Sequence, residues 1–161
     1  MKIRILLFAA IFLIAASCGK QAEETTEVKV SPVIETISAG SMARFKEQYQ
    51  GKVLLVNFFA SWCPPCRVET PDFVKVFTEN QDKFAIVGVS TDPNEPELAK
   101  FIGDFRVNYP VFIGDQSFMR EYGIATLPTS IVFGPDGKLV DVIIGPVSEN
   151  SLKQYIATLL P

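Results

Sequence analysis

Residues Val53–Phe59 (VLLVNFF) are apolar at every position but Asn57. A run without polar alternation predicts a strand covered on both faces, near the centre of a parallel sheet. The same pattern returns at Phe84–Ser90 (FAIVGVS). Between the two, Cys66, Phe73, Val76 and Phe77 recur at helical spacing and predict a helix over Pro64–Glu79 with Pro71 as a kink. Before them, Val33–Ile37 reads as a first strand. Met42, Phe45 and Tyr49 mark one face of a helix over Met42–Gln50, with Ser41 as its cap and Gly51 as its stop. After them comes a loop, Thr91–Glu97. A helix over Leu98–Phe105 follows, with Leu98, Phe101, Ile102 and Phe105 on its apolar side. Tyr109–Ile113 then reads as a strand and Phe118–Tyr122 as a short helix ended by Gly123. Pro135-Asp136-Gly137 is a hairpin signal joining Thr129–Phe133 to Lys138–Ile144. Ser148 and Glu149 open a last helix that turns Leu152, Ile156 and Leu159 to the sheet. The order β-α-β-α-β-α-β-α-β-β-α predicts an α/β fold, a mixed central sheet with helices on both faces.

The N-terminal pattern is different. Lys2 and Arg4 precede an apolar run, Ile5–Ala16. That run is shorter than the ~20 residues of a membrane span and suits a secretory signal over 1–17. It ends in Ala15-Ala16-Ser17-Cys18, which resembles a bacterial lipobox, with Ala15 where Leu is usual. The resemblance implies lipidation of Cys18 and a membrane-anchored lipoprotein outside the cytoplasm. An ordinary cleaved signal with a chance Cys and an uncleaved anchor are the other readings. Residues 18–32 are polar and acidic without an apolar period, so they read as a flexible tether. The folded domain is expected over 33–161.

Composition narrows the function. The chain is 48% hydrophobic and 20% charged, with a net charge of −3. That is enough apolar material for a core and offers no basic patch for nucleic acid. It contains no His, which removes every Cys–His or Ser–His relay.

Candidate chemistry lies where the central strand meets the next helix, at Trp62-Cys63-Pro64-Pro65-Cys66. Cys63 falls at the helix N-terminus, where unpaired N–H groups and the dipole favour a thiolate. Pro64 suits the first helical position. Cys66 lies one turn in, within reach of Cys63 and less exposed. Cys63 is therefore the attacking thiol and Cys66 the resolving thiol of a dithiol exchange. A zinc site would need four ligands, and Cys18 is the one further Cys. A purely structural bridge over so short a loop would add little stability. Glu69 follows Cys66 by three residues on the apolar stripe. Burial there would raise its pKa and fit it to exchange a proton with Cys66; the alternative is that it points past the edge into water.

The segment NFFASWCPPCRVETPDF resembles the active-site segment of the thioredoxin superfamily, in particular its TlpA/ResA-like thiol–disulfide oxidoreductases. The resemblance implies a thioredoxin fold from about Ser31 to Pro161, with residues 92–113 as the helix–strand insertion of the TlpA-like branch. That insertion either contributes to partner choice or only extends the sheet. ResA-like proteins carry a Glu three residues after the second Cys with an active-site role, which falls on Glu69. Thioredoxin has a buried Asp six residues before the first Cys; here Asn57 stands there and cannot titrate. The stretch Thr126-Leu127-Pro128-Thr129 resembles the superfamily's cis-proline loop. It implies a cis Pro128 packed against the dithiol and Leu127 backbone groups free to pair with a substrate strand. Trp62, Pro64 and Pro65 would shape the same docking surface.

The implied activity is reduction of disulfides in client proteins, such as apocytochrome c, by a membrane-tethered enzyme. It would use no cofactor or metal beyond the Cys63–Cys66 disulfide and would draw electrons from a membrane thiol donor. Three other readings are weighed: a disulfide-forming oxidase, a thiol peroxidase and a binding lipoprotein without turnover. Peroxiredoxins share the fold but pair a lone Cys with a preceding Thr and Pro, whereas Cys63 is flanked by Trp62 and followed by Cys66.

Overall fold

The structure, a computed structural model, describes residues 34–93 and 95–160. The expected leader, Cys18, the tether and Val33 lie outside the described residues. All described residues fall in one compact unit, Ser31–Pro161. No helix among them is long and apolar enough to cross a membrane.

Six strands, β1 (Thr36–Ile37), β2 (Val53–Phe59), β3 (Phe84–Ser90), β4 (Val111–Gly114), β5 (Thr129–Phe133) and β6 (Leu139–Ile144), form one sheet in the order β1-β4-β3-β2-β5-β6. The pairs β1–β4, β4–β3 and β3–β2 are parallel, and β2–β5 and β5–β6 antiparallel. The helices are α1 (Ser41–Gln48), α2 (Pro64–Glu79), α3 (Glu95–Phe105), α4 (Gln116–Glu121) and α5 (Glu149–Leu159). This is the mixed sheet with helices on both faces expected from the apolar pattern.

Both central strands are buried along their whole length, which is why they carry no polar alternation. Side chains alternate across β2. Leu54, Val56 and Phe58 face Met42 and Phe45 of α1 and Phe118 of α4. Val53 and Leu55 face Phe73 and Val76 of α2 and Leu152 and Ile156 of α5. A third cluster closes the end of the sheet where β2 runs into α2. It joins Phe59, Ala60, Cys63 and Cys66 to Leu98 and Phe101 of α3.

Several boundaries differ from the sequence reading, each for a tertiary reason. Ser41 is the first helical residue and not the cap. Gly40 takes the cap position at φ 86°, with no side-chain cap, and its N–H donates to Glu121 Oε2 at 2.7 Å. A left-handed cap with a partner from α4 thus replaces the local Ser. Helix α3 starts three residues before Leu98, where Glu95 accepts from the Ile34 N–H at 2.7 Å and adds an acid to the first turn. Strand β4 begins after Pro110, which has no N–H to give the ladder. Helix α4 begins at Gln116 because the Asp115 side chain accepts from Phe118 N at 2.9 Å. Ser148 caps α5 as expected. Strand β6 is solvent-exposed at most positions on both faces, as an edge strand can be.

Candidate active site

The dithiol sits at the junction of β2 and α2. Cys63 is the N-cap residue of α2, and Pro64 and Pro65 fill its first positions. Cys63 and Cys66 form a disulfide with Cα atoms 5.3 Å apart, and both are buried in this state. The turn before them closes through Cys63 N–H donating to Ala60 O at 3.1 Å.

The Leu127–Pro128 bond is cis. Leu127 packs against the cluster that holds both cysteines, and Pro128 is buried beside it. Among the described residues, neither the N–H nor the C=O of Leu127 has a hydrogen-bond partner. Trp62 stands outside the core at 63% exposure. Val68, one turn beyond Pro64 on the same helix face, is 73% exposed. It was not a sequence candidate. Exposed valine in a helix is ordinary, and only the neighbouring exposed Trp62 and Pro64 make it part of a rim.

Glu69 is 2% exposed, so the reading that it points into water is excluded. It lies about 4.5 Å further along the helix axis than Cys66, on the same buried face. Its Oε1 accepts from Asn57 Nδ2 at 2.8 Å and its Oε2 from the Val147 N–H at 2.9 Å. Burial pushes its pKa up to about 7, and the two hydrogen bonds oppose the shift without cancelling it. The acid is thus poised near neutrality, where proton exchange is most effective. Tyr109 is buried nearby; its hydroxyl is driven well above the ordinary phenol range, first by burial and then by the Glu69 charge.

By sequence, Asn57 is only a residue that cannot titrate. In the structure it is the partner of Glu69, and it also donates to Ser130 Oγ at 3.0 Å. The β2–β5 register sets Asn57 opposite Ser130, a pairing across 73 residues that no local pattern reveals. Asp92, Ser61 and Arg67 were also missed. Asp92 could have been noticed as the first acid after the buried strand β3.

The Redoxin family model matches residues 21–159. The chain belongs to the Redoxin family. This redoxin is 30% identical over 110 residues to the thioredoxin-like protein YneN of Bacillus subtilis, covering 66% of this chain and 65% of the relative. It is 30% identical over 114 residues to the thiol-disulfide oxidoreductase ResA of Bacillus thuringiensis, covering 70% and 66%. It therefore spans just under two thirds of the length of these relatives. Among solved structures, a thiol:disulfide interchange protein of the thioredoxin family from Chlorobium tepidum superposes with a TM-score of 0.67 at 32% identity. That match covers 72% of this redoxin and 85% of the other chain. StoA of Bacillus subtilis superposes at 0.58 with 29% identity, covering 66% and 83%. The thioredoxin-like fold expected from the CPPC segment is therefore the fold of the chain, with its CxxC pair at the end of β2. Among the described residues, no group of three or more His, Cys, Asp or Glu could hold a metal ion.

Proposed function

We propose that the protein is an extracytoplasmic thiol–disulfide oxidoreductase that reduces client disulfides. The observation that carries this reading is the Cys63–Cys66 pair at the N-terminus of α2 with Glu69 buried one turn below. In the reduced protein the Cys63 thiolate attacks one client sulfur. A mixed disulfide forms and the other client sulfur leaves as a thiolate. Cys66 then gives up its proton, with Glu69 as the acceptor, and attacks Cys63 Sγ. The Cys63–Cys66 disulfide forms and the second client thiolate leaves. Two electrons have passed to the client, and a thiol donor must return them. Leu127 offers its free backbone groups to the client strand, while Trp62, Pro64 and Pro65 contact the chain around the client disulfide. Helix α3 helps to choose the client, since Glu97, Lys100, Phe101 and Asp104 line a cleft of about 350 Å³ with Trp62.

The reduction potential tests the direction. Equilibration of the pair in thiol buffers should give a value near or below about −220 mV. A value near about −120 mV would make the protein a disulfide-forming oxidase. Failure to cycle between disulfide and dithiol would leave a binding role.

We also propose that Cys18 carries a lipid that tethers the domain to a membrane, with an apocytochrome c as one client. The basic start, the apolar run and Ala15-Ala16-Ser17-Cys18 support this. Labelled fatty acid should enter the wild-type chain and not Cys18→Ser. Equal labelling of both would refute the anchor. A cytochrome c deficit in a deletion strain, restored by added reductant, is expected for the client.

A further inference from the structure

Ser61 opens the turn that carries Trp62 and Cys63, and every polar group it has is held. Its N–H donates to Asp92 Oδ2 at 2.9 Å and its hydroxyl to Asp92 Oδ1 at 2.7 Å. Its carbonyl accepts from Arg67 Nη1 at 3.0 Å. Asp92 is 1% exposed. Its carboxylate also accepts from the Ser90 hydroxyl, and its own N–H donates to Ser90 Oγ at 2.9 Å. Thr91 N–H completes the tie by donating to Phe59 O at 2.9 Å. The end of β3 is thus bound to the segment that delivers the nucleophile.

The Asp92 carboxyl meets the Ser61 N–H and the hydroxyls of Ser61 and Ser90, all three able to donate to it, which suits a carboxylate anion. A tie alone would not need an anion. An amide of the same shape would keep the turn, with its oxygen accepting from Ser61 N–H and Ser90 and its NH2 donating to Ser61 Oγ. The fold instead sets a buried acid against Ser61, two residues before Cys63 in the chain, and charge near a thiol governs its reactivity. Arg67 brings the opposite charge to the same turn. Its side chain is exposed and lies over the rings of Phe101 and Phe105, so water and salt screen it far more than the buried acid.

We propose that Asp92 is a positioning residue for the Cys63 sulfur: it clamps the Ser61–Cys63 turn to the end of β3, and its buried charge biases the pair towards the disulfide. The N-terminus of α2 favours the Cys63 thiolate, and an anion held at Ser61, two residues before it, opposes it. A less stabilised thiolate makes the dithiol a readier electron donor, since a strong oxidant is one whose reduced form is stabilised. The balanced half-reaction is loss of two protons and two electrons by the dithiol, taken up by a client disulfide that becomes two thiols. The inference rests on Cys63 being the attacking thiol.

The test compares the full-length wild-type chain with Asp92→Asn and Ser61→Ala. Three quantities are read: the unfolding midpoint, the pH dependence of Cys63 alkylation mapped by peptide mass, and the equilibrium with glutathione. Asp92→Asn should keep its unfolding midpoint, titrate Cys63 at lower pH and shift the equilibrium about threefold or more towards the dithiol. Ser61→Ala keeps the charge and weakens the clamp. It should slow Cys63 attack without moving its titration to lower pH. A folded Asp92→Asn with unchanged titration and equilibrium overturns the proposal at Asp92. If that variant does not fold, an unchanged attack rate in Ser61→Ala overturns it. Alkylation of Cys66 before Cys63 in the wild type overturns it differently, through the assignment of the attacking thiol.

Discussion

Asn57 Nδ2 donates to Glu69 Oε1 at 2.8 Å in the buried layer behind the dithiol. A neutral donor therefore faces the acid proposed to exchange protons with Cys66. Replacing Asn57 with Asp would set two carboxyls in contact, and one would stay protonated over a wide pH range. Asn57→Asp should raise the Glu69 midpoint above its value of about 7 and cost about 1–3 kcal/mol through the lost hydrogen bond. Carboxyl titration by NMR and denaturant midpoints check both. An unshifted Glu69 would mean that the two side chains do not meet in solution.

Glu69 also sets a pH dependence of stability. Its folded-state pKa of about 7 lies above the ~4.3 of an exposed Glu. Between these values the folded protein binds more protons than the unfolded chain, so stability falls as pH rises. The contribution is complete below about pH 4.3 and lost by about pH 7, on the order of 3 kcal/mol in all. Glu69→Gln should flatten this slope and remove the inflection near neutrality in the rate of Cys66 attack. Urea unfolding across that range, for both proteins, measures the slope.

The two cysteines should separate by role. Cys66→Ser should accumulate a mixed disulfide between Cys63 and a client, visible by mass spectrometry and released by reductant. Cys63→Ser should accumulate none and should lose turnover. Trapping by Cys63→Ser through Cys66 would reverse the assignment.

Trp62 is largely outside the core, so Trp62→Ala should change stability by no more than about 0.5 kcal/mol. As a docking residue, its loss should lower kcat/KM for a protein disulfide about tenfold, equivalent to about 1.4 kcal/mol. A small disulfide that makes no contact with the rim should react at an unchanged rate. An equal loss for both substrates would place Trp62 in support of the thiols and not in docking.

Local pattern was enough for much of this protein. The unbroken apolar runs of β2 and β3 could only be buried strands, because strands with one wet face must alternate. Cys63, Pro64, Pro65 and Cys66 announce a dithiol at a helix start, since that chemistry depends on residues within one turn. The i+3 spacing of Glu69 put it on the buried face. Tertiary structure decided what surrounds those groups. Gly40 displaced Ser41 as a cap because a partner reached it from α4, and α3 gained its first turn from a contact between Glu95 and Ile34. Asn57 and Val147 became the partners of Glu69 where α2 packs on β2 and the loop after β6, and Asp92 became the anchor of Ser61 through the parallel pairing of β2 and β3. Hydrogen bonds of that kind join residues far apart in the chain, so spacing carries no trace of them. The sequence by itself determined the Cys63–Cys66 pair and its place at a helix start; the packing of β3, β5 and α5 around it decided the charges and donors that surround it.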